Sequence, residues 1–378
     1  MKRLLCLLLA LCLGGCAVKN TETAPSTAPV ETEVEAETTQ ETTQPPEETI
    51  EKLLARMTLE EKVGQCFLAR MRKDTAKGDI AKWHLGGLVL FGQDFDNETP
   101  DSMRELLASL QQLSKIDLLL AVDEEGGTVN RVSSHEAFRA EPFQSPRSLF
   151  ESGGLNLALS VEWEKGYLLH DLGLNVNLAP VCDITVKQSS FMYARSLGAD
   201  PVTTGKYVAG TLERLNENGV GGVMKHFPGY GENGDTHVSS VRDGRSLQEL
   251  EGGAITPFAA GIETGLGAIM VSHNRIAALD EALPGSLSPF VIGYLRENMG
   301  YDRVVITDDL SMGALDGFTP EHSATLAVKA GADLLCSTDF ETQIPAIVEA
   351  VKKGEIKEEM IDASVRRILT WKQQLGLI

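Results

Sequence analysis

Eight short apolar runs recur along this chain with longer, more polar stretches between them, and that alternation restricts the fold more than any other feature. The runs are GQCFLA (64–69), GGLVLFG (86–92), LLLAVDEEG (118–126), LNVNLAPVCD (174–183), GGVMKHFPG (221–229), AIMVSHN (268–274), RVVITDDL (303–310) and ADLLCST (332–338). Helical patterns lie between them, among them DSMRELLASLQQL (101–113), TTGKYVAGTLERLNENG (203–219) and SPFVIGYLRENMG (288–300). Gly219 and Gly300 close the last two, and glycine is the residue that best ends a helix. Near-continuous apolar strands alternating with helices imply a parallel sheet covered on both faces. Eight such units predict a single (β/α)₈ TIM-like barrel within residues 50–378, and 42% hydrophobic content is enough for one large domain of this kind. An open doubly wound sheet is the competing arrangement. No GxGxxG or GxxxxGK[ST] follows the first strand, so nucleotide binding has no support.

The segment before the barrel has a different character. Lys2 and Arg3 precede an apolar run, Leu4 to Leu13, that is too short for a membrane-spanning helix of about 20 residues. The run ends in Leu13-Gly14-Gly15-Cys16, which resembles a bacterial lipobox; the resemblance implies a signal peptide over 1–16 and lipidation of Cys16. An ordinary signal peptide with a chance cysteine is the alternative. Residues 17–49 are Thr, Glu, Ala and Pro, with eight Glu against Lys19 alone, and they carry about a third of the formal charge of −20. Such a stretch buries too little to offset the entropy of ordering, so it reads as a disordered acidic tether of about 30 Å mean span. These features place the protein outside the cytoplasm, lipid-anchored to the bacterial membrane. The acidic balance argues against nucleic acid as a partner. Cys66, Cys182 and Cys336 each sit in an apolar segment and read as buried thiols. No Cys or His spacing suggests a metal.

In a barrel, chemistry gathers at the carboxyl ends of the strands. Asp123 closes the third run, Arg195 follows the fourth, Lys225 and His226 close the fifth, His273 the sixth and Asp308 the seventh. One such residue could be a satisfied structural group, but five loaded strand ends out of eight point to a shared pocket. Lys225 and His226 offer donors to substrate hydroxyls. Pro228, Gly229 and Gly231 release the chain into a mobile loop that ends in Asp235-Thr236-His237. In extended backbone, residues two apart face the same side, which would let Asp235 hold and polarise the His237 imidazole as a general acid/base. In VVITDDLSM, Asp308 is placed to attack an anomeric carbon, whereas Asp309 fits the start of a helix.

With these residues the chain resembles the family 3 glycoside hydrolases, specifically the NagZ-type β-N-acetylglucosaminidases. MTLEEKVGQ (57–65), VDEEGGTVNRV (122–132), LAPVCDI (178–184), KHFPG (225–229), LPGSLSP (283–289), ITDDLSM (306–312) and AGADLL (330–335) occur in family order. The resemblance implies a retaining mechanism on a barrel with no metal or cofactor. It makes Asp308 the nucleophile and His237, paired with Asp235, the acid/base. It also makes Asp123, Arg195, Lys225 and His226 the grip on the sugar. Gly126 and Gly127 look like backbone shapers, which a plain tight turn explains equally well. One barrel carrying its own Asp-x-His favours the hexosaminidase branch. There are departures: Tyr230 stands where the family commonly has histidine, the loop before Asp235 is about one residue short, VSS follows the dyad where a proline is often found, and Glu124 replaces a familiar Gln.

Three functions follow as expectations. The first is hydrolysis of terminal β-linked N-acetylglucosamine from peptidoglycan fragments or related glycans. The second is phosphorolysis, or β-glucosidase action, with the same residues. The third is a catalytically silent wall-binding lipoprotein, against which the intact Asp308, Asp235 and His237 weigh.

Overall fold

The computed structural model describes residues 50–378; the signal segment, Cys16 and the acidic tether of the sequence reading lie outside the described residues. Each apolar run contributes one strand. We number these β1 (Phe67–Arg70), β2 (Gly87–Leu90), β3 (Leu119–Val122), β4 (Val176–Asn177), β5 (Gly221–Phe227), β6 (Ala268–Val271), β7 (Val305–Thr307) and β8 (Leu335–Ser337). They pair in parallel in the order β7-β6-β5-β4-β3-β2-β1-β8. That order runs with the sequence and never reverses, so the doubly wound alternative is excluded, because it requires a switch point. The seam between β7 and β8 is held by the parallel bridge Ile306–Leu334, by Thr307 N–H donating to the Leu334 carbonyl (3.0 Å) and by Leu310 N–H donating to the Cys336 carbonyl (3.0 Å). The result is a nearly closed eight-stranded barrel.

A helix follows every strand: α1 (Ala76–Trp83), α2 (Pro100–Gln111), α3 (Pro146–Leu172), α4 (Pro201–Asn216), α5 (Thr256–Glu263), α6 (Pro289–Gly293, continued by a wider turn over Tyr294–Asn298), α7 (Pro320–Ala330) and α8 (Phe340–Lys352). Five of them begin the same way. Thr99-Pro100, Ser145-Pro146, Asp200-Pro201, Ser288-Pro289 and Thr319-Pro320 each place an oxygen-bearing cap before a proline that needs no amide partner. The last helix, Glu358–Gln374, lies with Ile50–Arg56 and Leu59–Gln65 and buries Ile361, Val365, Ile368, Leu369 and Trp371. Its Trp371 ring presses on the start of β5, where a Cβ on Gly221 would lie 2.8 Å from the indole. Cys66, Cys182 and Cys336 are free and buried, as their apolar surroundings predict.

Three segments depart from expectation. Gly64 and Gln65 end the helix Leu59–Gln65 and precede β1. Only Val176–Asn177 of 174–183 forms regular strand; the rest stays beside its neighbours through a bridge from Val181 to Lys225 and single backbone bonds such as Leu178 N–H to the Val122 carbonyl (2.8 Å), and Pro180 has no N–H to extend the ladder. The segment 288–300 is a short α-helix that widens after Gly293.

Candidate active site

The strand ends open into a cavity of about 620 Å³ lined by Asp123, Arg195, Lys225, His226, Asp235, His237 and Asp308. All seven residues that the sequence assigns to catalysis and sugar binding therefore converge. Lys225, at the end of β5, is nearly buried and forms ion pairs with Asp123 Oδ1 (2.5 Å) and Glu125 Oε1 (2.6 Å). Glu125 also accepts two hydrogen bonds from Arg195, from Nε at 2.9 Å and from Nη2 at 2.7 Å. Burial alone would raise the Glu125 carboxyl, but the two cations hold it well below the usual carboxylate range. Its carbonyl accepts from Lys165 Nζ (2.6 Å), and Lys165 is fully buried with Glu162 on α3. The wall helix thus fixes the residue that stands between the two cavity-lining cations.

His226 sits beside this cluster. Its Nδ1 lies 2.8 Å from Asp183 Oδ2, and its Nε2 lies 3.3 Å from Arg195 Nη2. Asp183 also accepts the backbone N–H groups of His226 (3.2 Å) and Tyr230 (2.6 Å). One buried carboxylate therefore sets both the imidazole and the chain direction after β5. The glycine pair follows the same logic of backbone placement: Gly126 and Gly127 have φ of +98° and +68°, and Gly127 N–H donates to the Phe143 carbonyl (2.8 Å).

Asp308 follows β7. Its backbone N–H is bonded to the Val271 carbonyl of β6 (3.0 Å), and its Oδ1 accepts from Asp309 N–H (3.0 Å). Oδ2 is shielded and has no hydrogen-bond partner among the described residues. Burial would push this carboxyl up, yet the imidazoles of His226, His273 and His237 outweigh it and hold the group below its ordinary 3.8. An anionic oxygen with a free lone pair in a cavity is what a carboxylate nucleophile requires. Asp309 differs: its Oδ1 accepts from Ser311 N (2.9 Å) and Ser311 Oγ (2.8 Å), and burial raises its pKa. Asp309 does not begin a helix as expected. It caps a tight turn ahead of the short segment Gly313–Leu315, and α7 starts only at Pro320. His273 also departs from expectation. It is fully buried and lies outside the cavity wall, with Nδ1 on Ser286 Oγ (2.6 Å) and Nε2 on the Asp309 carbonyl (2.9 Å).

His237 Nδ1 lies 2.6 Å from Asp235 Oδ1, as the Asp-x-His spacing predicts. The backbone that makes the pair is a turn and not an extended strand: the same Asp235 oxygen accepts His237 N–H (2.9 Å), and Val238 N–H reaches the Asp235 carbonyl (3.3 Å). The loop is tied down along its length. Arg245 holds the Gly229 carbonyl, Asn233 Nδ2 holds the Tyr230 carbonyl (2.8 Å), and Gly313 and Ala314 donate to the carbonyls of His237 (3.3 Å) and Thr236 (3.0 Å).

Glu125 and Asp183 were missed in the sequence although both stand in quoted motifs. The available signal was position: Glu125 is two residues past Asp123, and Asp183 ends a strand run. Arg131, Phe191 and Met312 also line the cavity. Glu124 points away from it, fully buried, and accepts the backbone N–H groups of Arg131 (2.9 Å) and Val132 (2.7 Å). Among the described residues no group of three or more His, Cys, Asp or Glu side chains is arranged to hold a metal ion.

The cavity thus holds a strand-end carboxylate, Asp308, together with the carboxylate-held imidazole of His237, a carboxylate and a proton donor such as glycoside hydrolysis uses. The model of the glycosyl hydrolase family 3 N terminal domain matches residues 58–371, and the chain belongs to that family. It is similar to a beta-hexosaminidase of Hydrogenovibrio crunogenus, 33% identical over 257 residues that cover 66% of this chain and 71% of that protein. It is also similar to the beta-hexosaminidase LpqI of Mycobacterium tuberculosis, 30% identical over 333 residues and covering 84% of each. Among solved structures, a family 3 beta-N-acetylglucosaminidase from Paenibacillus superposes with a TM-score of 0.80 at 33% identity, over 85% of this chain and 63% of that one. The M. tuberculosis LpqI structure gives 0.77 at 28% identity, over 85% and 96%.

Proposed function

We propose that this glycosidase is a retaining β-N-acetylhexosaminidase that removes terminal β-linked N-acetylglucosamine from peptidoglycan fragments or related glycans. The observation that carries the reading is the unpartnered Asp308 Oδ2, in one cavity with an imidazole that Asp235 holds by Nδ1. The names of the relatives support the choice of sugar. In the first step Asp308 Oδ2 bonds to the anomeric carbon and the glycosidic C–O bond breaks. The leaving oxygen takes a proton from His237 Nε2, the ring nitrogen that Asp235 leaves free. In the second step water loses a proton to Nε2, its oxygen bonds to the anomeric carbon, and Asp308 departs with its electron pair. Lys225, Arg195, His226 and Asp123 bind the sugar hydroxyls, and the Lys225–Asp123 pair together with the contacts to Glu125 and Asp183 fixes them before substrate arrives.

The test uses p-nitrophenyl β-N-acetylglucosaminide and the matching β-glucoside, with and without phosphate. The first sugar is expected to win by at least about tenfold in kcat/KM, a ratio that needs about 1.4 kcal/mol of differential binding. Equal rates return the enzyme to unspecified β-glycosidases, and phosphate-dependent release of a sugar 1-phosphate makes it a phosphorylase. The lipobox-like LGGC supports anchoring to the outer side of the bacterial membrane through Cys16. Cys16→Ser is then expected to release the full chain from the membrane fraction with unchanged turnover, since lipid chains anchor by about 0.8 kcal/mol per buried CH₂. A wild-type protein found wholly in the soluble fraction removes this part.

A further inference from the structure

The Tyr230 side chain ties the start of the loop after β5 to the turn that carries His237. It is fully buried, flanked by Gly229 and Gly231 at φ of +98° and +59°. Its hydroxyl is hydrogen-bonded to Thr236 Oγ1, and Thr236, also fully buried, is the residue between Asp235 and His237. Tyr230 forms a small apolar cluster with Val181 and Met192, separate from the main core, with Phe191 packed on it. The Phe191 ring lies 5.6 Å from Tyr230 and 6.0 Å from the His237 ring. The Tyr230 amide is held by Asp183, the carboxylate that also holds His226. A single residue therefore joins the floor that grips the sugar to the loop that carries the proton donor. His237 itself is more than half exposed and has Asp235 as its one side-chain partner at hydrogen-bond distance among the described residues.

We infer that Tyr230 is a positioning residue for the acid/base: through Thr236 it fixes the Asp235–His237 turn over the nucleophile. This inference rests on the proposed glycosidase reading. The turn is clamped from within by the Tyr230–Thr236 bond and from outside by the backbone of Gly313 and Ala314.

The test measures kcat and KM for wild type, Tyr230→Phe, Thr236→Val and Thr236→Ser on aryl β-N-acetylglucosaminides with poor and with activated leaving groups. Tyr230→Phe and Thr236→Val are expected to lower kcat about tenfold on the poor leaving group, the effect of one lost hydrogen bond on proton-donor placement. They should leave the activated one within about twofold and KM nearly unchanged, because a good leaving group needs little protonation. The double variant should be no slower than either single one, and Thr236→Ser, which keeps the hydroxyl, should stay near wild type. Wild-type rates in Tyr230→Phe on the poor leaving group, or equal losses on both substrates, overturn the inference. If wild type turns over neither substrate, the proposed activity is at fault instead. The latch is then read by amide hydrogen exchange at residues 236–238, which Tyr230→Phe must accelerate if it exists.

Discussion

Two neighbouring aspartates show how far environment, and not residue type, assigns chemistry. Asp308 and Asp309 share a strand end, yet three imidazoles hold the first below its ordinary 3.8 against the effect of burial, whereas burial raises the second. Asp309 spends its lone pairs on Ser311, while Asp308 keeps one oxygen free. Asp308→Ala is therefore expected to lower kcat by about a thousandfold or more, and Asp309→Ala by no more than about tenfold, because only a turn cap is lost. Both are read with p-nitrophenyl β-N-acetylglucosaminide, alongside circular dichroism to confirm folding. Exchanged phenotypes would make Asp309 the nucleophile. The sign of the Asp308 shift adds a pH statement. A depressed carboxyl stays ionised as pH falls past 3.8, so any acid limb of kcat/KM at higher pH belongs to another group.

At the scale of elements, the site is the meeting of two loops that come from different strands. The loop after β5 brings His237, and the loop after β7 brings Asp308; they touch where Gly313 lies against the His237 and Val238 carbonyls. A Cβ on Gly313 would lie 2.8 Å and 2.9 Å from those two backbone oxygens, closer than such contacts occur, and backbone cannot swing aside as a flexible side chain can. Gly313→Ala is expected to push the His237 loop outward and to lower kcat on poor leaving groups by about tenfold or more. A displacement near 1 Å at a proton donor can cost more than that. The melting temperature should change little, since the contact is peripheral to the main core. A variant with wild-type kcat on the poor leaving group would show that the loop adjusts without cost. The Asp-x-His pair was legible in sequence for a reason the structure replaces: extended alternation predicts it, and a side-chain-capped turn makes it. The stop of 288–300 at Gly300 was legible, with Met299 as the cap and Gly300 at φ +64°, but the widening after Gly293 was not, because a widened helical turn leaves no signature in apolar spacing.

Across the whole molecule, the end of the barrel opposite the active site holds an unusual group. Lys372, on the last helix, is fully buried, and its Nζ donates to Gln65 Oε1 (2.8 Å). Burial pushes its ammonium down from 10.5 to about 7, with Asp117 opposing in part. Because the folded value lies below the unfolded one, the unfolded chain binds more protons between the two. Stability from this group is therefore complete above the unfolded value and is lost as pH falls toward 7. Wild type is expected to gain on the order of 1–2 kcal/mol relative to Lys372→Met as pH rises from about 7 to about 8.5. Urea unfolding of both proteins at the two pH values measures it, and the comparison cancels every other titrating group. Parallel changes in the two proteins would mean that Lys372 is solvated in the folded state.

The sequence by itself determined the eight strands, the helices that follow them and the strand ends where charge collects. These follow from local facts: apolar runs, caps before prolines, and a side chain's place in its own strand. Through its motifs it also pointed to Asp308 and to the Asp235–His237 pair, the proposed nucleophile and acid/base. Tertiary structure alone decided the partners. Glu125 meets Lys225 from 100 residues away, Asp183 meets His226 and Tyr230 across two strands, and Gly313 meets His237 across two loops. A carboxylate's pKa, a ring's free nitrogen and a loop's clearance depend on what stands a few ångströms away in space. Only barrel closure brings those groups together, and so the roles of adjacent, chemically identical residues such as Asp308 and Asp309 separate only in the folded chain.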